Sequence, residues 1–266
     1  MTTVYGDLVR YRELFGNLFR RDVQAKYRGS ILGLAWTLAN PVLLMGVYLL
    51  VFSVLWKTPF GSEGHYGLFL LVGLSAWIFF AASVQSASRS MLDNANLIRK
   101  TRFPRQLVPL SMVATHLVSF AVMLVALLAL NFALLPRVRD TEWLAVPFAL
   151  AVVAIASGVA LAVASLNVLF RDIEFLVAAL LLPLFFLTPV LYPLSDPQIA
   201  RRDWVVDLIH WGNPLSPMVE ALRDPLFYGR LPGLADTIYT VVAALAALAL
   251  GAFVFSRVDD EIAVQV

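Results

Sequence analysis

The chain has 266 residues, 60% of them hydrophobic and 14% charged, with a mean hydropathy of +0.80. Ordinary soluble domains are about half apolar and about a quarter charged, so a soluble enzyme, a disordered chain and a secreted mini-domain are excluded, and a polytopic membrane protein is expected. Twenty Lys and Arg against eighteen Asp and Glu leave a net charge of only +2, which argues against nucleic acid as a partner; with no cysteine, disulfides, thiolate metal sites and thiol catalysis are excluded.

Residues 7–30 place Leu8, Tyr11, Phe15 and Leu18 at spacings of three and four, extended by Phe19 and Val23 and flanked by Arg10, Arg12, Arg20, Arg21, Lys26 and Arg28. The stripe predicts an amphipathic helix in the headgroup layer; a short tail carrying only topogenic charge is the other reading. The first 30 residues lack an apolar core followed by a small-residue cleavage site, so the first span is expected to be its own insertion signal.

Six charge-free apolar runs follow, and spans are expected over about 33–56, 65–88, 106–135, 144–170, 175–194 and 237–256. A bilayer core of about 30 Å takes about 20 apolar residues as helix, and a charge at a helix centre costs about 2.5–3.5 kcal/mol. The runs are too long and too uniform for the alternating, roughly ten-residue strands of an outer-membrane barrel. The expected fold is an all-α polytopic membrane protein in one unit over residues 1–266. It has six transmembrane helices, the N-terminal amphipathic helix, a cytoplasmic helix between spans two and three, and two short outer-side helices between spans five and six. Trp36, Trp56, Tyr66, Trp143 and Tyr192 at the span edges fit interfacial aromatic belts.

Six spans put both termini on one side. That side would carry 13 Lys and Arg and the opposite side 7, so the positive-inside rule places both termini in the cytoplasm.

The 89–105 loop is basic but carries Leu92, Leu97, Ile98 and Phe103. Asp93 or Asn94 is the expected cap of a short helix ended by Phe103 and Pro104. Exposed apolar residues there suit a docking element, and an ordinary basic loop is the alternative. Arg171 and Asp172, in the turn after the fourth run, are expected to cap the flanking helices or to touch a partner. In the 196–236 segment, Asp203–Trp211 and Ser216–Tyr228 read as short half-apolar helices separated by Gly212, Asn213 and Pro214, with Ser216 and Pro217 as a start signal. A pair dipping into the outer leaflet is favoured over a surface loop.

No glycine-rich phosphate loop occurs, nor any Gly-Lys pair. His65, His116 and His210 are isolated from other metal-ligating residues. His116 lies inside the third apolar run, where a neutral histidine bonded to a neighbouring helix is favoured over a functional ionisable group. No span carries a charge near its centre, and the halves of the chain lack clear similarity, which weakens an ion-coupled carrier. Ser and Thr within the spans lack a nearby base, which weakens an intramembrane hydrolase. Trp36, Tyr48, Phe52 and Trp56 in the first span, with Phe185, Phe186 and Tyr192 in the fifth, are candidates to line a conduit whose aromatic faces would suit sugar rings. Lipid-facing packing is the alternative for each.

The stretch from Arg21 to Pro41, with Asp22, Lys26, Tyr27, Arg28, Gly29, Ser30, Leu32, Gly33, Trp36 and Asn40, closely resembles the opening of the permease subunits of type 2 ABC polysaccharide exporters, the family that moves O-antigen, capsule, teichoic acid and cell-wall galactan. Asn94, Asn96, Leu97, Ile98, Arg99, Lys100, Phe103, Pro104 and Arg105 resemble that family's loop between spans two and three. Phe170, Arg171, Asp172 and Ile173, and later Asn213 and Pro214, match in order, and the resemblance runs from about residue 5 to the C-terminus.

The resemblance implies a homodimer around a channel, in the bacterial plasma membrane, with two separate ATPase subunits below it. This chain would be a permease rather than an enzyme. ATP and Mg would be held by the partner subunits, with no cofactor in this chain. A coupling helix within Asn94–Pro104, with Arg171 and Asp172 as a second contact, would transmit closure of the ATPases. Arg21, Lys26, Tyr27 and Arg28 would lie near the entrance for a polyprenyl-linked glycan, and Trp204, Trp211, Asn213 and Pro214 would belong to an outer gate. A permease for a drug or a lipid, an ATP-independent carrier or channel, and a scaffold or membrane enzyme acting on polyprenyl-linked sugars are the competing readings.

Overall fold

A computed structural model describes residues 6–30, 33–55, 65–194 and 203–265; Trp56 lies outside them. Helices α1 (Gly6–Arg10) and α2 (Arg12–Tyr27) are followed by α3 (Trp36–Leu49), which runs on as a π-turn over Leu50–Leu55. Next come α4 (Tyr66–Asp93), α5 (Ala95–Lys100), α6 (Leu107–Leu134), α7 (Ala145–Leu169) and α8 (Ile173–Leu187). Two short helices, α9 (Asp203–Gly212) and α10 (Leu215–Arg223), precede the long α11 (Leu234–Gln265). Among the described residues there is no strand.

Five helical stretches are long and apolar enough to cross a bilayer: Trp36–Leu55, Tyr66–Asp93, Leu107–Leu134, Glu142–Leu169 and Leu234–Asp259. The fifth expected span, 175–194, differs. Its helix α8 has 15 residues, about 22 Å at 1.5 Å per residue, short of a bilayer core of about 30 Å. The helix stops where Thr188 turns to extended backbone and Thr188 Oγ1 donates to the Leu184 carbonyl at 2.7 Å.

Helix–helix attraction inside lipid rests on close packing more than on water expulsion, and α4 is built for it. Its small Gly73, Ser75, Ser83, Ser88 and Ser90 alternate with large Phe69, Trp77, Phe79 and Phe80, and nearly all its faces are buried. Ser75, Ser88 and Ser90 donate to carbonyls of their own helix, so their hydroxyls need no outside partner. Phe79 stacks on Phe120 of α6 at 4.8 Å between ring centroids. On another side of the bundle α7 and α11 cross at Gly158 and Gly251, where a Cβ on either glycine would overlap backbone of the facing helix. The outward faces of α3 and α8 carry Leu43, Val47, Leu50, Phe175, Leu180, Leu182 and Phe186, all exposed.

Several expectations change in detail. Tyr66 is no belt residue: it is buried, and its hydroxyl donates to the Leu191 carbonyl at 2.6 Å. Trp143 is exposed, as a belt residue should be. The start of α10 comes from Asn213 and Pro214, not from Ser216 and Pro217. Asn213 Oδ1 accepts from the Leu215 N–H at 3.1 Å and Pro214 sits at the cap position, whereas the buried Ser216 hydroxyl has no partner. Helix α10 is buried on nearly every side, while α9 leaves Trp204, Leu208 and Trp211 exposed. The turn after α10 closes through Gly229 at φ +69, packed against the Arg137 carbonyl where a side chain would not fit.

Candidate functional site

Three neighbouring features gather most of the sequence-derived site residues. The first lies where α2 meets the bundle. Its apolar stripe is used in part: Leu18 is buried, and Phe15 packs on a cluster that holds Met91, Ile98 and Phe255. Of the flank expected to face headgroups, Arg10, Arg12, Arg20, Arg21 and Arg28 are exposed, and Lys26 reaches α6. Buried Asp22 accepts from Ser111 Oγ at 2.9 Å and from Arg21 at 2.7 Å. One turn on, Lys26 Nζ donates to Ser119 Oγ at 2.9 Å and lies 3.3 Å from His116 Nδ1, while Tyr27 Oη is 3.0 Å from Ser119 Oγ.

An ammonium only donates, so His116 Nδ1 is the acceptor and Nε2 carries the proton, 2.8 Å from Ser86 Oγ on α4. His116 is therefore a neutral ring bridging α2, α6 and α4. Beside it opens a cavity of about 260 Å³ between α2, α3, α4 and α6, lined among others by Lys26, Tyr27, Trp36, Asn40, His116 and Ser119. Loss of water there pushes the Lys26 pKa below the ordinary lysine value. Of the residues expected at the entrance, Lys26 and Tyr27 line this cavity. Arg21 is paired with Asp22, and Arg28 is exposed beyond the end of α2.

The second feature is an aromatic cleft of about 450 Å³ between α3, α4 and α8, lined by Tyr48, Trp77 and Phe185 with Leu44, Leu181 and Leu182. Tyr48 lies 6.1 Å and Trp77 5.4 Å from Phe185, ring centroid to centroid, and Phe52 lies 6.4 Å from Tyr48. Ile78 and Ala82 line both cavity and cleft, so the two adjoin along α4. Tyr48 and Phe185 are thus brought together, with Phe52 at the edge. Trp36 belongs to the basic cavity, exposed Phe186 is not part of the cleft lining, and Tyr192 donates to the Phe186 carbonyl at 2.9 Å away from it. Trp77 was missed by sequence reasoning. Its signal was available: a tryptophan near the middle of a span is far from the interfacial belts where that residue is usual.

The third feature is the short helix α5 at the end of the bundle where α4, α6 and the last turns of α11 meet. Asn94 stands at its cap position, but its side chain turns back to the Ser90 carbonyl at 2.8 Å rather than capping. The helix ends at Thr101, whose hydroxyl donates to the Leu97 carbonyl at 2.7 Å, before Phe103 and Pro104 are reached. Ile98 is buried in the core, Leu97 and Phe103 are half-buried, and Asn96, Arg99 and Lys100 are exposed. Nearby, Arg171 and Asp172 are exposed, and the expected capping falls to Asn167, whose Oδ1 accepts from the Glu174 N–H at 2.9 Å. Glu174 also pairs with Arg89 at 3.1 Å, tying α8 to α4.

At the opposite end, Asn213 is locked by donation to Thr188 Oγ1 at 2.9 Å, and exposed Trp211 accepts from Tyr239 at 2.8 Å through its carbonyl. Pro214 and Trp204 are exposed there. Among the described residues no group of three or more His, Asp or Glu is placed to hold a metal.

Residues 13–227, from α2 to the turn after α10, match the family model described as ABC-2 type transporter. The chain belongs to the ABC-2 type transporter family. It is 33% identical, over 99% of both chains, to a protein of Myxococcus xanthus named O-antigen export system permease protein RfbA. Two proteins of Klebsiella pneumoniae with the same name are 31% and 30% identical over 79% of each chain. The basic cavity, the aromatic cleft and α5 all lie within the stretch matched to the ABC-2 family.

Proposed function

We propose that this chain is the membrane subunit of an ATP-driven exporter that carries a lipid-linked polysaccharide of the O-antigen class outward across the bacterial plasma membrane. The observation that carries this reading is the similarity over nearly the whole chain to a protein named as an O-antigen export permease. The geometry supports it: a basic cavity adjoins an aromatic cleft, an arrangement suited to a charged headgroup and to sugar rings.

In this reading α8 and the turns after it complete a sixth crossing, both termini are cytoplasmic, and α5 lies on the cytoplasmic side. Two copies pair through the exposed faces of α3 and α8, because one bundle leaves too little room for a hydrophilic polymer. Two ATPase subunits hold ATP and Mg, and press on Asn96, Leu97, Arg99 and Lys100 of α5 and on Arg171 and Asp172. Helices α9 and α10, with Trp204, Trp211, Asn213 and Pro214, form the outer gate.

The test is reconstitution in cells lacking their own exporter, with and without a cognate ABC ATPase subunit. Surface polysaccharide should appear only when both are present and the ATPase is active. Transport of the same cargo by this chain alone, with no nucleotide consumed, would overturn the proposal.

A further inference from the structure

We propose that His210 and Asp236 form a proton-operated latch that fastens the short helix α9 to the start of α11, tightening as His210 gains a proton and loosening as it loses one.

The latch joins two helix ends. His210 lies in the last turn of α9 and Asp236 in the first turn of α11, with His210 Nε2 2.7 Å from Asp236 Oδ1. A carboxylate only accepts, so Nε2 donates and carries a proton in either charge state of the ring. Protonation of Nδ1 then changes the strength of the tie and not its geometry: a hydrogen bond from a neutral ring becomes an ion pair, the stronger of the two. Both placements favour the charged forms, since a helix C-terminus attracts a cation and a helix N-terminus an anion. The two side chains are 15% and 22% exposed, so the pair is less screened by salt than a surface pair and still open to proton exchange.

Beyond this pair and the junction with α10, little holds α9 in place. None of the residues 204–212 is buried. Tyr239 of α11 donates to the Trp211 carbonyl at 2.8 Å, and its ring lies 5.5 Å from that of Trp211, which meets the His210 ring edge-on at 4.4 Å. All of these contacts are at the same end of the helix, and exposed Trp204 and Leu208 lie along the free length before it. A small change at the C-terminal turn is therefore free to move the whole of α9.

The charges around His210 leave it the task of answering Asp236. Exposed Asp207 lies one turn earlier on α9. On α10, Glu220 is within electrostatic reach of His210 and is engaged by Arg223. Asp224, within reach of Asp236, is paired with Arg230. Among the described residues no Lys or Arg pairs with Asp236, so the only cation that reaches it is the one His210 becomes. Histidine is the residue type whose charge changes between about pH 5 and 8.

This inference rests on the exporter reading only for its consequence, that α9 belongs to the outer gate and that the proton comes from the outside medium. The test uses the full chain co-purified with a cognate ABC ATPase subunit in maltoside detergent, carrying a nitroxide at Leu208→Cys. Leu208 is exposed and the chain has no other cysteine to label. Going from about pH 5.5 to about pH 8 should raise the ratio of mobile to immobile label by about threefold or more. His210→Gln keeps an N–H donor but takes no proton, so its ratio should no longer respond to pH, and Asp236→Asn should lose most of the response. His65→Gln, at an exposed position before α4, should respond as the labelled parent does. Helical content and a single elution peak establish that each variant is folded, and Asp236→Asn carries the test if His210→Gln does not fold. A ratio that stays constant with pH in the parent, or a response kept in full by both latch variants, overturns the inference and leaves the pair a purely structural tie. If the complex exports polysaccharide but the label does not respond to pH, the latch falls and the exporter reading stands. If the label and the variants behave as expected but the complex exports nothing while hydrolysing ATP, the latch stands and the exporter reading falls.

Discussion

The guanidinium of Arg223, on α10, lies 3.7 Å from the centroid of the Phe69 ring on α4. Its Nη atoms donate to the Pro189 and Val190 carbonyls at 2.8 and 3.2 Å and to Glu220 at 2.9 Å, with the side chain fully buried. One planar group thus ties α10, α4 and the turn after α8 together, and burial pushes the Glu220 carboxyl above the usual carboxylate range. Removing the cation while leaving that carboxyl in place is the costly change. Arg223→Met should lower stability by about 3–5 kcal/mol, read as an early thermal transition in detergent. Adding Glu220→Leu should recover part of the loss. Arg223→Lys should not, since a point charge cannot repeat the fork or lie flat on the ring.

The α7–α11 crossing gives a prediction without charge. An added methyl at Gly158 or Gly251 meets the facing backbone, which has no rotamer to yield. Gly158→Ala and Gly251→Ala should each cost about 1–3 kcal/mol or more through overpacking. Gly46→Ala, on α3 with nothing near its Cβ position, should be neutral to slightly stabilising. Thermal melts of the three variants in one detergent decide it, and equal melts would mean that the two long helices move apart at little cost.

Long apolar runs told most of the fold in advance, because a bilayer punishes every unsatisfied backbone group and leaves helix as the default. Five runs became helices of spanning length within a few residues of the expected ends. What the runs could not convey is which polar groups find each other across the bundle. Arg223 falls in an expected short outer-side helix, Asn167 in an expected span, and Asp22 in the stretch that resembles the family's opening. Each is placed by a partner between 7 and 89 positions away, or by carbonyls of another segment. The candidate site follows the same rule. Lys26 and Tyr27 were legible in a local motif, while Ser119 and His116 joined them only through the packing of α2 on α6. The short α8 was hidden too, since composition does not reveal that the chain turns at Thr188.

The burial pattern of α5 separates a folding residue from docking residues. Ile98 is held in the core with Met91 and Phe255, whereas Leu97 is half-exposed beside exposed Asn96 and Lys100. Ile98→Asp should therefore abolish folding by burying a charge. Leu97→Asp and Lys100→Glu should change stability by no more than about 0.5 kcal/mol, as surface substitutions do, yet lower ATP-dependent export by about tenfold if each removes one good interface contact. Export that survives both surface variants at the wild-type rate would take the coupling role away from this helix.

The aromatic pair at the end of α8 should divide in the same way. Phe185 is buried against Tyr48 and Trp77, and Phe186 is exposed. Phe185→Ala should cost about 3–5 kcal/mol, part of it from the cavity left behind, and Phe186→Ala should leave the melt nearly unchanged. A cleft that handles cargo through stacking predicts that Trp77→Phe, which keeps a ring in place, retains more export than Trp77→Leu. Measuring polysaccharide at the surface at matched protein levels distinguishes stacking from mere space-filling, for which the two variants would export alike.

Lys26 supplies a pH dependence whose sign can be worked out. Burial lowers its folded pKa below the ordinary 10.5, so between those two values the unfolded chain holds more protons than the folded one, and stability rises with pH across that window. Below it the charged ammonium works against the fold. Lys26→Met should then melt at a higher temperature than the wild-type chain at neutral pH, and the gap should close as the pH approaches 10.5. Taking the difference between the two proteins cancels the contributions of groups common to both. A variant that is less stable than the wild-type chain by the same amount at every pH would instead make Lys26 an ordinary tie between α2 and α6.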